Sequence, residues 1–172
     1  SGLQAQHLKA AQAIARATGG SLEGARLGSE RLVFRAGAAP APGSASRLEV
    51  DIGTAGSATL AALALLPVAA LGGPSRLSLR GGLFQDFAPS AFHLRDVLLP
   101  LLGRMGLHAG LEIVRPGYVP RGGGVLDLRV EACRGLRALS LPERGSIRSI
   151  HGVALSSKLK GRNVGERMAQ SC

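Results

Sequence analysis

The chain has 172 residues, 45% hydrophobic and 19% charged. That balance excludes a disordered chain, and the length suits one ordinary domain, or one domain and a piece of another. Against 11 Asp and Glu stand 21 Lys and Arg, 18 of them Arg, for a formal charge of +10; the planar Arg fork suits phosphate, so a polyanionic partner fits, although GC-rich codon usage produces the same bias.

Four Phe, one Tyr and no Trp leave the core to Leu, Ala and Val. Cys133 and Cys172 form neither a CxxC pair nor a disulfide framework, which points to a reducing, cytoplasmic setting. No signal peptide opens the chain. The longest apolar run, Ala58 to Leu71, contains Thr59 and Pro67 and is shorter than the ~20 residues that span a bilayer, so a soluble protein without membrane contact is expected.

In chain order, Leu8, Ala11, Ile14 and Ala15 fall at helical spacing and predict a helix from about Gln4 to Ala17, stopped by Gly19-Gly20. Strands at Ser21–Leu27 and Arg31–Arg35 should form a hairpin across Gly28-Ser29. Small residues and Pro make Ala36 to Ser46 a loop. Leu48–Ile52 reads as a strand, Gly53 to Ser57 as a turn, and the residues up to Leu71 as an apolar helix that Pro67 should kink or interrupt. A half-buried strand, Arg76–Arg80, and a loop from Gly81 to Pro89 precede a helix from about Ser90 to Met105. Strands at Leu111–Arg115 and Val125–Val130 flank the long turn Pro116 to Gly124; the tail offers a strand at about Ser146–Ala154 and a helix from near Asn163.

Part of this order repeats. Leu22-Glu23-x-x-Arg26-x-Gly28 recurs as Leu111-Glu112-x-x-Arg115-x-Gly117, an offset of 89 (111 − 22). In the following strand Arg35 matches Arg129, an offset of 94 (129 − 35), and upstream His7-Leu8-Lys9 matches His93-Leu94-Arg95, an offset of 86 (93 − 7). A duplication follows, with one complete strand–helix–strand–helix–strand–strand unit and one copy present only from its second helix onward. The abrupt start at Ser1-Gly2-Leu3 and the end at Cys172 inside a predicted helix lead to the expectation that both ends are internal to a longer protein.

Few motifs carry chemistry by themselves. Asp51 to Ser57 is a strand end, a small-residue turn and a helix start, where N–H groups and the helix dipole favour an anion and Thr54 and Ser57 add hydroxyls; the plainer reading of the spacing is a capped strand-to-helix turn. Arg121 beside Gly122-Gly123-Gly124 would let phosphate approach the backbone, or simply form a flexible hairpin loop. Gln6-His7 near a helix start could touch a nucleotide or face solvent. His93, His108 and His151 lack a carboxylate, Ser or Cys at informative spacing, Cys133 reads as a structural thiol, and no paired carboxylates are visible.

Taken together, Gly2-Leu3-x-x-Gln6-His7-Leu8, Leu22-Glu23-Gly24-Ala25 with Gly28-Ser29, Gly53-Thr54-Ala55-Gly56-Ser57, Leu66-Pro67, Pro74-Ser75-x-Leu77, Gly81-Gly82, Ala88-Pro89, Leu98-x-Pro100-Leu101-Leu102, Arg115-x-Gly117-Tyr118-x-Pro120-x-Gly122-Gly123-Gly124 and Glu143-Arg144-Gly145 resemble, in order and over nearly the whole chain, the RNA 3′-terminal phosphate cyclase family. The resemblance implies an α/β (α+β) fold of repeated βαβαββ units, similar to the enolpyruvyl transferases. The core would run over residues 1–154, and 155–172 would begin a smaller inserted α/β domain.

It also implies a ligase that uses ATP and a divalent metal (Mg or Mn) to adenylate its own histidine, passes AMP to an RNA 3′-phosphate, and closes a 2′,3′-cyclic phosphate. The partners implied are RNA 3′ ends, and a homodimer is compatible. The family's nucleophile is expected beyond Cys172, so no catalytic residue is assigned within this stretch and the chain alone is expected to be inactive. Residue by residue, Pro89 matches a proline of the adenine pocket, Gln6 and His7 a pair near the active cleft, and Gly53, Thr54, Gly56 and Ser57 its small-residue turn; Arg121 is a candidate for substrate phosphate from the Gly-rich turn alone. A family glutamine that contacts the nucleotide falls at Leu63, which has no polar group to offer. Leu83-Phe84-Gln85-Asp86-Phe87 replaces a more polar run, and Ala5 stands where Arg or Pro is usual. The same resemblance extends to a non-catalytic cyclase-like relative that binds RNA in ribosome assembly.

Overall fold

The computed structural model describes residues 2–37, 47–72 and 75–171. The chain divides into two compact units, Ser1–Leu139 and Ser140–Cys172; the boundary expected after Ala154 lies inside the second.

In the first unit α1 (Ala5–Thr18) ends where Gly19 takes the left-handed conformation, φ 62°, and returns the chain into β1 (Ser21–Glu23) and β2 (Val33–Arg35). These two strands pair antiparallel but are shorter than predicted, because Gly24 and Gly28 sit at positive φ and bend the intervening chain away from ladder geometry. The small-residue stretch predicted as a loop lies, from 38 to 46, outside the described residues.

The second set of elements is a complete βαβαββ unit. β3 (Arg47–Asp51) leads through α2 (Ala58–Ala70) to β4 (Arg76–Gly81), which lies parallel to β3. A helical stretch follows, built of α3 (Ala91–His93), a π-helical turn (Leu94–Leu98) and α4 (Leu99–Arg104). β5 (Ala109–Arg115) and β6 (Gly124–Val130) then form an antiparallel hairpin whose second strand returns beside β4, for a sheet order β3-β4-β6-β5.

The sheet has one apolar and one polar face. Leu48, Val50, Leu77, Leu79, Leu126, Leu128, Val130 and Leu111 alternate with polar neighbours and join one buried cluster with Ala61, Leu65, Leu66 and Ala69 of α2 and Leu94 and Leu99 of the second helical stretch. Ala10, Ala13 and Ala17 of α1 enter the same cluster. Small side chains at those positions allow α1 and α2 to approach closely.

The helices also depart from the sequence reading. Pro67 does not end α2, which continues to Ala70; it lies in the last turn and is exposed, so its missing N–H removes a single bond. The helix predicted for Ser90 to Met105 is interrupted by the π turn, where the Leu99 N–H bonds to the Leu94 carbonyl, five residues back. Pro100 follows directly and has no N–H to return to residue 96, so the ladder changes register there.

The duplication is visible as identical pairing. Ser21, Leu22 and Glu23 face Arg35, Phe34 and Val33. Gly110, Leu111 and Glu112 face Arg129, Leu128 and Asp127. Both strands keep the offsets of 89 and 94 read from the sequence. His7 and His93 are each the third residue of their helices.

In the second unit residues 140–155 carry no helix or strand. The strand expected at about Ser146–Ala154 is therefore absent: Ile147, Ile150 and Val153 are 68%, 88% and 60% exposed, and an extended segment with no ladder partner among the described residues has nothing to pair its backbone. A 3₁₀ turn, Lys160–Arg162, and the expected helix, α5 (Val164–Gln170), complete this unit.

Candidate functional site

Three turns at one end of the sheet converge. The first is Gly53 to Ser57, between β3 and α2; the second, residues 82–90, follows β4; the third, residues 116–123, joins β5 to β6. The Gly82 N–H donates to the Gly56 carbonyl (2.8 Å), and the Ala58 N–H donates to the Gly82 carbonyl (3.0 Å), tying the first turn to the second. The Leu83 N–H donates to the Gly117 carbonyl (3.1 Å), tying the second to the third. Gly122 has φ 63°, and a Cβ there would stand 2.8 Å from both the Ala55 Cα and the Thr54 carbonyl oxygen. Glycine is what permits the third turn to lie against the first.

α1 clasps this end from the side. The Ser57 N–H donates to Gln6 Oε1 at 2.8 Å, while Gln6 Nε2 lies 3.4 Å from His7 Nε2 on the exposed side. A buried hydroxyl chain runs the other way. The Leu60 N–H donates to Ser57 Oγ (2.9 Å), which caps α2; Ser57 Oγ lies 2.7 Å from Thr59 Oγ1, and Thr59 Oγ1 donates to the Pro89 carbonyl (2.7 Å). Because the Thr59 proton is committed to Pro89, the proton between the two hydroxyls comes from Ser57.

The small-residue turn is mostly self-satisfied. The Gly53 N–H donates to Asp51 Oδ1 (2.8 Å) and the Gly56 N–H to Thr54 Oγ1 (3.1 Å). The N–H groups of 57, 58 and 60 are committed as above. Only the Thr54 and Ala55 N–H groups of this turn have no hydrogen-bond acceptor among the described residues, so its capacity for an anion rests on those two and on the exposed Thr54 side chain.

The Gly-rich turn is pinned rather than a loose hairpin loop. The Gly122 N–H donates to the Tyr118 carbonyl (2.7 Å), and Arg115 Nε donates to the Gly123 carbonyl (2.8 Å). Arg121 is exposed beside it.

Gln6, Gly53 to Ser57, Pro89 and the turn carrying Arg121 are thus brought together, with His7 exposed at their margin. Leu63 is one turn beyond Thr59 on the same side of α2, and its side chain packs against the core cluster.

Sequence reasoning assigned no role in the site to Thr59, Phe84, Arg95 or Gln85. Thr59 links α2 to Pro89, but a Thr inside an apolar run gives no sign of its partner. Phe84 stacks on Phe92 (ring centroids 5.2 Å apart) and tilts against Tyr118 (5.5 Å), and the Arg95 guanidinium lies 5.0 Å over the Phe92 ring. Arg95 also forks onto Asp96 (2.7 and 2.9 Å), and that hydrogen bond, helped by the guanidinium charge, holds the Asp96 carboxyl below the usual carboxylate range. The Gln85 amide lies against Gly82, where a Cβ would meet it, and its buried Oε1 has no hydrogen-bond donor among the described residues.

A family model, RNA 3′-terminal phosphate cyclase, matches residues 1–171. The chain belongs to the RNA 3′-terminal phosphate cyclase family. Membership carries cyclase-like function and an RNA substrate, and in this cyclase-family chain three of the quoted motifs, Gly53 to Ser57, Ala88-Pro89 and Gly117 to Gly124, lie in the converged turns. No helix among the described residues is long and apolar enough to cross a membrane.

Proposed function

We propose that this chain is part of an enzyme that converts an RNA 3′-terminal phosphate to a 2′,3′-cyclic phosphate at the expense of ATP. Displacement of pyrophosphate by a histidine forms an enzyme–AMP bond. The RNA 3′-phosphate then takes the AMP, releasing the histidine, and the neighbouring 2′-hydroxyl attacks the RNA 3′-phosphorus, expelling AMP and losing its proton as the ring closes. None of His7, His93, His108 and His151 matches the family's nucleophile, so in this reading residues 1–172 contribute binding.

In this reading Pro89 lies against the adenine; Gly53, Thr54, Gly56 and Ser57 border the nucleotide phosphates; and Gln6, His7 and Arg121 border the RNA end. The observation that carries it is the meeting of three turns and the start of α1 in a chain of this family. The Thr54 and Ala55 N–H groups and the Arg121 guanidinium supply donors suited to phosphate oxygens. Among the described residues no three His, Cys, Asp or Glu side chains gather.

A second reading has one observation in its favour. Leu63 is apolar and packed into the core where the family contacts nucleotide with a glutamine, which suits a non-catalytic cyclase-like RNA-binding protein of ribosome biogenesis. The protein containing this chain, incubated with α-labelled ATP and magnesium, separates the two. Acid-labile, base-stable label that moves to RNA only when the RNA ends in a 3′-phosphate is expected for the cyclase, and RNA binding without any label selects the relative.

A further inference from the structure

The polar face of the four-stranded sheet carries its charges in rows. Arg47 is registered directly against Arg76, and Arg76 directly against Arg129, so three guanidinium groups stand side by side on β3, β4 and β6. The next row inward is Glu49, Ser78, Asp127 and Glu112. Like charges directly opposite on neighbouring strands are destabilising, and such rows are normally relieved by carboxylates.

Here the relief is partial. Arg47 Nε lies 3.1 Å from Glu49, but neither Arg76 nor Arg129 has a carboxylate within 4 Å among the described residues. The nearby Asp127 carboxylate accepts from Ser78 Oγ at 2.7 Å instead. The duplication sharpens the contrast. Arg35, the counterpart of Arg129, is paired with Glu23 at 3.1 Å, whereas Glu112, the counterpart of Glu23, leaves Arg129 unpaired.

We propose that Arg47, Arg76 and Arg129 bind the sugar–phosphate backbone of the RNA substrate, away from its 3′ end. Strands lie about 4.8 Å apart, so the three arginines span roughly 10 Å and offer forks to neighbouring phosphates. Arg76 and Arg129 also line a cleft of about 700 Å³ with His108, Leu99, Pro100 and Val130; Arg95, also there, is already forked onto Asp96, and Glu131 is the carboxylate in that cleft. The row contains no apolar or aromatic anchor, which a protein partner would need to bury, and backbone phosphate is the anion an RNA enzyme meets repeatedly.

The row is at the end of β4 and β6 opposite the converged turns. From Arg76 to Gly81 the strand runs roughly 16 Å at about 3.3 Å per residue, which separates this contact from the RNA terminus. The inference rests on RNA as substrate and not on the cyclisation chemistry.

The test is fluorescence anisotropy of the protein containing this chain with labelled 20-nucleotide oligouridines ending in a 3′-hydroxyl or a 3′-phosphate. Arg76→Gln with Arg129→Gln should weaken binding of both about tenfold, and should lower the slope of log affinity against log salt by about 1.4, two single-strand phosphate contacts. Arg129→Glu places a carboxylate opposite Arg76, so it keeps the fold and should lose at least as much affinity. Unchanged affinity and slope in these variants would overturn the proposal, as would polyglutamate binding as tightly as RNA with the same loss. Wild-type indifference to the 3′-phosphate would count against the cyclase reading alone, while the loss in the arginine variants would still stand.

Discussion

Thr59 is a polar residue inside the most apolar helix of the chain, and its hydroxyl is spent entirely on structure, between Ser57 Oγ and the Pro89 carbonyl. Replacing it with the near-isosteric Val leaves the Pro89 carbonyl without its donor, and Thr59→Val should lower stability by about 1–3 kcal/mol in urea denaturation. Gln85 presents the opposite case. Its Oε1 is buried without a partner against the turn that borders the proposed nucleotide site, so Gln85→Leu should raise the stability of the unliganded chain by about 1 kcal/mol. If Oε1 receives a donor from bound nucleotide, calorimetry should show ATP affinity falling in the same variant. At this scale the sequence showed residue types but not partners: Gln6 was legible as a candidate near a helix start, while its bond to Ser57 spans 51 positions.

The elements were legible wherever local chemistry sets them. α1 stops at Gly19 because a left-handed residue ends the ladder, and α2 begins at Ser57 because its Oγ receives the Leu60 N–H. Pro67 is different: it sits in the last turn, and α2 runs through it. Pro67→Ala restores one donor and should stabilise the chain by up to about 3 kcal/mol, read as a higher melting temperature with unchanged helical circular dichroism shape. The strand expected at Ser146–Ala154 failed for a reason that no local rule contains, since alternation stabilises a strand only when a neighbour completes its hydrogen bonds. The repeat shows the converse. A few matched residues foretold the pairing of both hairpins, because offset and register are two expressions of the same strand geometry.

Across the first unit, the apolar face of one sheet, two helical stretches and α1 share a single core, with Leu79 and Leu126 fully buried at its centre. Leu79→Ala should cost about 2–5 kcal/mol, and a single cooperative urea transition for this unit, shifted without change in slope, is the outcome to measure. The opposite face is left to charge. Most of the excess of +10 is Arg, and the register sorts part of it into rows that composition could not reveal.

By itself the sequence determined the class of fold, the order of most of its elements up to Val130, the duplication and the family, because each is carried by periodicity, by capping and turn residues, or by an ordered set of short motifs. Only the tertiary structure decided which residues form a site. Turns at 53–57, 82–90 and 116–123 meet because parallel β3 and β4 and the returning β6 bring their ends to one edge of the sheet, and because Gly122 lets backbone approach backbone. The same pairing set three arginines abreast from positions 47, 76 and 129. Contacts of that kind depend on register between distant segments, and register is fixed by burial of the whole apolar face at once.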